Sequence, residues 1–193
     1  HYRRQRQMCI RDRLQIIDEA AEVNELALSV TDSGGLMLVP AFTGWGTPHW
    51  DPQARGLMVG LTRNSSRGHI ARAALDGIAL SVATLVELAE TALGHGLGEL
   101  AVDGGAAASD PLLQAQADST GLTVRRPVNL ESTARGVALL AGMQAGLIND
   151  LEDLVPERNT GAQHFHCQID PLQRIQWKSR WDDAVNRSLN WHG

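Results

Sequence analysis

Residues 99–113, ELAVDGGAAASDPLL, decide how the rest of the chain is read. Leu100 and Val102 alternate as a strand does, and Gly104 and Gly105 then allow backbone angles and close approaches that a β-carbon forbids. Asp110 before Pro111 places an N-cap residue ahead of a proline at the first helical position. A helix is therefore expected to start there with its unpaired N–H groups facing the glycine turn, where an anion or a flat polar ring can rest. Taken alone, the stretch fits a plain strand-to-helix connection as well as it fits a nucleotide-binding turn.

Moving outward, residues 99–126 read as a βαβ unit. The helix runs to about Thr120, Gly121 ends it, and Leu122–Arg126 forms a second strand parallel to the first. Pro127 closes that strand and Ser132 is placed to cap a further helix. Within it Ala134, Ala138, Gly142 and Gly146 recur every fourth residue, a small-residue ridge expected to lie against another backbone on the floor of the site. Upstream, Ile70, Ala74, Ile78, Val82, Leu85 and Ala89 form one stripe of a long helix from His69 to about Leu93, stopped by Gly94 and Gly96. His69 in its first turn reads as a neutral surface or hydrogen-bonding histidine, with no chemistry assigned to it. Leu36–Pro40 and Gly56–Leu61 read as two strands, separated by AFTGWGTPHWDPQAR, whose Trp45 and Trp50 form either the wall of a cleft or a loop folded on its own tryptophans. Leu14, Ile17, Ala21, Leu26 and Leu28 fit one or two amphipathic helices. From Pro171, a final helix places Trp177, Trp181, Val185 and Leu189 on one stripe that docks on the core.

Composition narrows the function. The chain has 193 residues, 43% of them hydrophobic, and a formal net charge of −5. Sixteen of its 17 basic residues are arginine and Lys178 is the single lysine, so neither a P-loop Gly-Lys-Ser/Thr nor a protein-kinase strand lysine can be built. Nothing marks a nucleic-acid surface. Cys9 and Cys167 are too few for a disulfide framework, which points to a reducing compartment and a cytoplasmic protein. No apolar run is expected to span a membrane, because Asp76 and Glu87 interrupt residues 73–89. His164, His166 and Cys167 lack further ligands at metal-site spacing, so no metal site is assigned. Residues 1–13 carry five arginines and one acidic residue, and are expected to be a truncated or fused stray end, not a targeting peptide. Fold reasoning therefore starts near Ile10.

These stretches resemble one family. GLMVGLTRNSSRGHIARAALD, residues 56–76, looks like the second signature of the FGGY carbohydrate kinases. PAFTGWGTPHWDPQARG, residues 40–56, resembles the preceding loop in its glycerol kinase version, chiefly through Phe42 and Trp50, more than in its pentulose kinase version. DGGAAAS and ESTARGVALLAG are similar to later elements of the same lobe. The resemblance implies an α/β fold, an actin-like ATPase or ribonuclease H-like lobe with a mixed β-sheet and flanking helices. On this reading residues 10–193 are the C-terminal, nucleotide-binding domain, incomplete on its N-terminal side, and residues 1–9 are unmatched.

The resemblance further implies transfer of the γ-phosphoryl group of ATP, with Mg²⁺, to glycerol or a related polyol. The partner of this lobe is then a missing N-terminal lobe, and a homo-oligomer is compatible with it. The family's GGAxxN stretch closes on the adenosine, which carries over to Gly104, Gly105 and, in place of the usual asparagine, Ser109. A serine offers one hydroxyl where an amide offers a separate donor and acceptor. The family's catalytic aspartate lies N-terminal to this sequence, so no catalytic residue is assigned. Asp51 belongs to a turn and Asp103 to a strand end. Two alternatives stay open: a lobe of another FGGY sugar or polyol kinase, and a non-catalytic nucleotide-binding or interaction module.

Overall fold

The computed structural model describes residues 22–150 and 161–191. The expected helix around Leu14, Ile17 and Ala21, the boundary at Ile10 and residues 1–9 lie outside them. In chain order the elements are α1 (Glu22–Leu28), β1 (Met37–Val39), β2 (Leu57–Val59), α2 (Arg67–Leu93) and β3 (Glu99–Ala101). A 3₁₀ turn (Gly105–Ala108), α3 (Asp110–Thr120), β4 (Thr123–Arg126), α4 (Ser132–Gln144), β5 (Gln163–Phe165) and α5 (Pro171–Ser188) follow.

Two sheets result. β1 and β2 pair antiparallel. β3 and β4 pair in parallel and β5 adds to β4 antiparallel, giving the order β3-β4-β5 and the mixed character expected of the fold. β5 was not anticipated. Its three residues carry no strand pattern of their own, and they become a strand because β4 offers them a hydrogen-bonding edge.

α2 is the axis of the molecule. Its first half is buried on several sides, by α1, β1 and α3, so Ala71, Leu75 and Ala79 lie deeper than the expected stripe, of which Leu85 is exposed. The apolar residues run around the helix, and their spacing alone could not choose one face. By length and composition α2 could also cross a membrane, contrary to expectation, yet 67% of its apolar window is buried inside the fold. Its start is set by Ser66, whose backbone N–H donates to Nδ1 of His69 at 3.1 Å, the second of the two readings of that histidine. Gly94, left-handed at φ 73°, ends it.

Three buried clusters tie the layers together. Val23, Ala27, Leu38, Leu75, Leu112 and Ala115 join α1, β1, α2 and α3. Val39, Ala54, Leu80, Trp181 and Val185 join β1, the long loop, α2 and α5. Val102, Ala107, Leu113, Ala117 and Val124 seat α3 on the mixed sheet. α3 thus shares one face with the helical body and the other with the strands that carry the glycine turn.

The tryptophan loop is split between the two expectations. Trp45 is 8% exposed and packs both on Trp181, with ring centroids 5.9 Å apart, and on His49 of its own loop at 6.0 Å, so the loop closes on α5 as well as on itself. Trp50 is 76% exposed. Asp51 staples the loop: its carboxylate accepts from the backbone N–H of Gln53 at 2.8 Å and of Asn190 at 2.6 Å.

Candidate nucleotide-binding site

The site is built at the end of β3. After Asp103 the chain leaves the sheet through Gly104, whose φ of 77° and ψ of 176° suit glycine, and whose N–H donates to the Leu130 carbonyl at 2.8 Å. One turn of 3₁₀ helix, Gly105–Ala108, then delivers the chain to α3. A β-carbon added at Gly104 or Gly105 meets no atom within 4 Å, so both glycines border open space. Ala107 is buried in the cluster beneath them.

The start of α3 differs by one residue from expectation. The N-cap is Ser109, not Asp110; its hydroxyl accepts from the Leu112 N–H at 3.3 Å, with Asp110 and Pro111 already inside the first turn. Both types cap well, and the choice is made by tertiary contacts. Ser109 is 5% exposed and its hydroxyl donates to Oδ1 of Asn24 at 2.6 Å, tying α1 to the turn. Asp110 is left to pair with Arg126 at 2.7 Å. Of the three residues expected to touch a nucleotide, the two glycines therefore face open space and Ser109 holds the turn from below.

Arg126, expected only as the end of a strand, and Asn24 were not expected at the site, because an arginine in an Arg-Arg-Pro run and a single asparagine carry no local signal. Arg126 lies on the core face of the mixed sheet, its guanidinium 5.2 Å from the Phe165 ring centre and bonded to the Ala107 carbonyl at 2.9 Å and to Gln163. Ser132 is not the cap of α4, which is Glu131; its hydroxyl donates to the Asp103 carboxylate beside the turn. The small-residue ridge does not form the floor of a site: Gly142 meets the Ile148 side chain just past the helix, Gly146 lies beyond the end of α4, and the helix itself buries no residue, with Leu140 63% exposed. Small side chains show that a close approach is possible without showing to what.

His164 and His166 stack at 6.5 Å on the polar face of the mixed sheet, where His164 faces Glu99 and His166 contacts Thr123. Among the described residues no three His, Cys, Asp or Glu side chains converge to hold a metal ion. A hollow of about 400 Å³ between α2, α3 and α5 lies apart from the glycine turn, and Lys178 inside it pairs with Glu87 and Asp182.

Residues 1–145 match the model of the FGGY family of carbohydrate kinases, C-terminal domain. The glycerol kinase of Rhodopirellula baltica is 46% identical over 182 residues, which cover 94% of this chain and 34% of that protein. The crystal structure of Plasmodium falciparum glycerol kinase with ADP superposes with a TM-score of 0.82 at 29% identity, over 94% of this chain and 36% of that one. A xylulose kinase from Rhodospirillum rubrum superposes with a TM-score of 0.66 at 25% identity, over 86% of this chain and 33% of that one. The chain spans about a third of the length of these relatives.

Proposed function

The chain belongs to the FGGY family of carbohydrate kinases, and from that membership we propose that it serves as the nucleotide-binding lobe of a kinase transferring the γ-phosphoryl group of ATP to glycerol. The observation that carries this reading is the open space over Gly104 and Gly105, at the mouth between a strand end and the first turn of a helix, in a chain that resembles a glycerol kinase solved with ADP.

Gly104 and Gly105 hold the nucleoside by letting it lie on bare backbone. Ser109 keeps the turn in shape through Asn24 and Leu112. The adenine nucleotide fits this cradle because a side chain there would occupy the space it needs. Magnesium is part of the proposal through the family alone: no ligand set among the described residues fits it, and no step is assigned to it. Glycerol is preferred to a pentulose because the glycerol kinase structure superposes more closely than the xylulose kinase. The division into residues 1–9 and 10–193 rests on motif resemblance that begins near Ile10 and on the arginine-rich composition before it, although the family match itself starts at residue 1. Cytoplasmic placement belongs to the proposal, as does a missing N-terminal lobe; self-association is open to sedimentation analysis.

Gly105→Val tests the site. Gly105 does not need a left-handed backbone and has room for a β-carbon, so the variant is expected to melt within a few degrees of the unsubstituted chain. Its ADP affinity, read by calorimetry, is expected to fall by on the order of tenfold or more, because the isopropyl group takes the nucleoside's place. Unchanged affinity would make the turn a mere connection.

A further inference from the structure

We propose that Arg126 is the positioning residue of the glycine turn, setting the geometry in which that turn meets a nucleoside; this rests on the nucleotide-binding reading above. Arg126 ends β4 on the face of the mixed sheet that is covered by α3. One guanidinium holds three segments at once. It donates to the carbonyl of Ala107, inside the 3₁₀ turn, at 2.9 Å. It pairs with the Asp110 carboxylate, in the first turn of α3, at 2.7 Å. It also donates to Oε1 of Gln163 on β5, while its plane lies over Phe165.

The turn itself has few other anchors. Gly104 is tied to Leu130, Ala107 sits in the cluster below and Ser109 is held by Asn24. A planar fork with five donors is suited to fixing a carbonyl, a carboxylate and an amide in one arrangement, and a lysine ammonium cannot span them. The guanidinium is mostly buried while the Asp110 carboxylate is exposed, so salt weakens that ion pair and leaves the bonds to the uncharged Ala107 carbonyl and Gln163 amide in place. The guanidinium is directed at these protein groups. Its effect on binding passes through the backbone of residues 105–110.

Titration of the full chain with ADP and with adenosine, against Arg126→Gln and Arg126→Lys, tests this. The expected result is a loss on the order of tenfold in affinity for both ligands and in both variants, persisting at high salt, since a misplaced turn affects the nucleoside whatever its phosphates. Full affinity in Arg126→Lys, or a loss confined to ADP that salt removes, shows that only charge matters and overturns the inference. So does a lowered melting temperature with both affinities unchanged, which assigns Arg126 to stability alone. If neither variant folds, Gln163→Ala removes one partner of the guanidinium at an exposed position; a severalfold loss for both ligands supports the inference and no change overturns it. An unsubstituted chain that binds neither ligand overturns the nucleotide reading itself, whereas binding that survives every substitution sinks only the role of Arg126.

Discussion

At Ser109 one hydroxyl does two structural tasks, accepting from Leu112 at the head of α3 and donating to Asn24 on α1. Ser109→Ala removes a helix cap and leaves the Asn24 oxygen without its donor. The expected loss is about 1–2 kcal/mol, seen as a fall of about 2–8 °C in melting temperature. Asp76 carries a different signature. It is 3% exposed on α2 and bonded to Nε of Arg72 at 2.9 Å. Burial raises its carboxyl to about 6 from 3.8, further helped by Asp32 and Asp118, while Arg72 opposes the shift without cancelling it. The folded chain therefore holds this proton more tightly than the unfolded one. Stability from this group is complete below pH 3.8 and is lost as pH rises to about 6, a difference of about 3 kcal/mol. Denaturant titrations at a series of pH values are expected to show that decline in the parent chain and a flatter profile in Asp76→Asn. Parallel profiles would show that Asp76 ionises in the fold as it does in water.

Between elements, the tightest approach at a described glycine is that of α2 to β1. A β-carbon on Gly77 would lie 2.1 Å from the Leu38 carbonyl oxygen, so the helix backbone rests directly on the strand. In an exposed helix Gly→Ala stabilises by about 1 kcal/mol, but here strand and helix have to separate. Gly77→Ala is expected to destabilise by about 1–3 kcal/mol. Gly136→Ala on exposed α4, where nothing lies within 4 Å, is expected to stabilise by up to about 1 kcal/mol. Thermal melts of the two variants should move in opposite directions, and a shared direction would show that helix propensity, not packing, governs both. These glycines look alike in the sequence, which marks what was legible there. The strand, glycine turn and helix of residues 99–126 were readable because each carries local chemistry: alternation, a glycine pair, cap residues and Gly121. Long-range partners were not. The one-residue shift of the α3 cap follows from Asn24 and Arg126, β5 exists because β4 pairs with it, and Trp45 finds Trp181 across 136 positions. Two of the three expected site residues border open space because glycines at a turn can be read locally. The contacts that hold Ser109 cannot.

For the whole molecule the question is what a lobe of this size accomplishes alone. Phosphoryl transfer depends on holding donor and acceptor in line and on stabilising the charge that develops between them, which requires groups on both sides of the reacting atoms. On the proposed reading, the described residues offer a nucleoside the open space beside Gly104 and Gly105 on one side. Their two acidic candidates for a proton acceptor are already occupied. The Asp51 carboxyl is held below the usual carboxylate range, chiefly by the Asn190 N–H, which weakens it as a base. Asp103 accepts from the Ser132 hydroxyl beside the turn. The chain also spans about a third of the length of the glycerol kinases it resembles. Purified alone, the chain is expected to bind ADP and to produce none in a coupled assay with ATP, magnesium and glycerol. Joined in frame to the N-terminal two thirds of a glycerol kinase such as that of Rhodopirellula baltica, it is expected to support glycerol-dependent turnover, and Gly105→Val in that fusion should raise the KM for ATP more than the KM for glycerol. Glycerol-dependent ADP release by the isolated chain, abolished by Asp103→Asn, would instead place the proton acceptor within this lobe, and the two-lobed reading would fail.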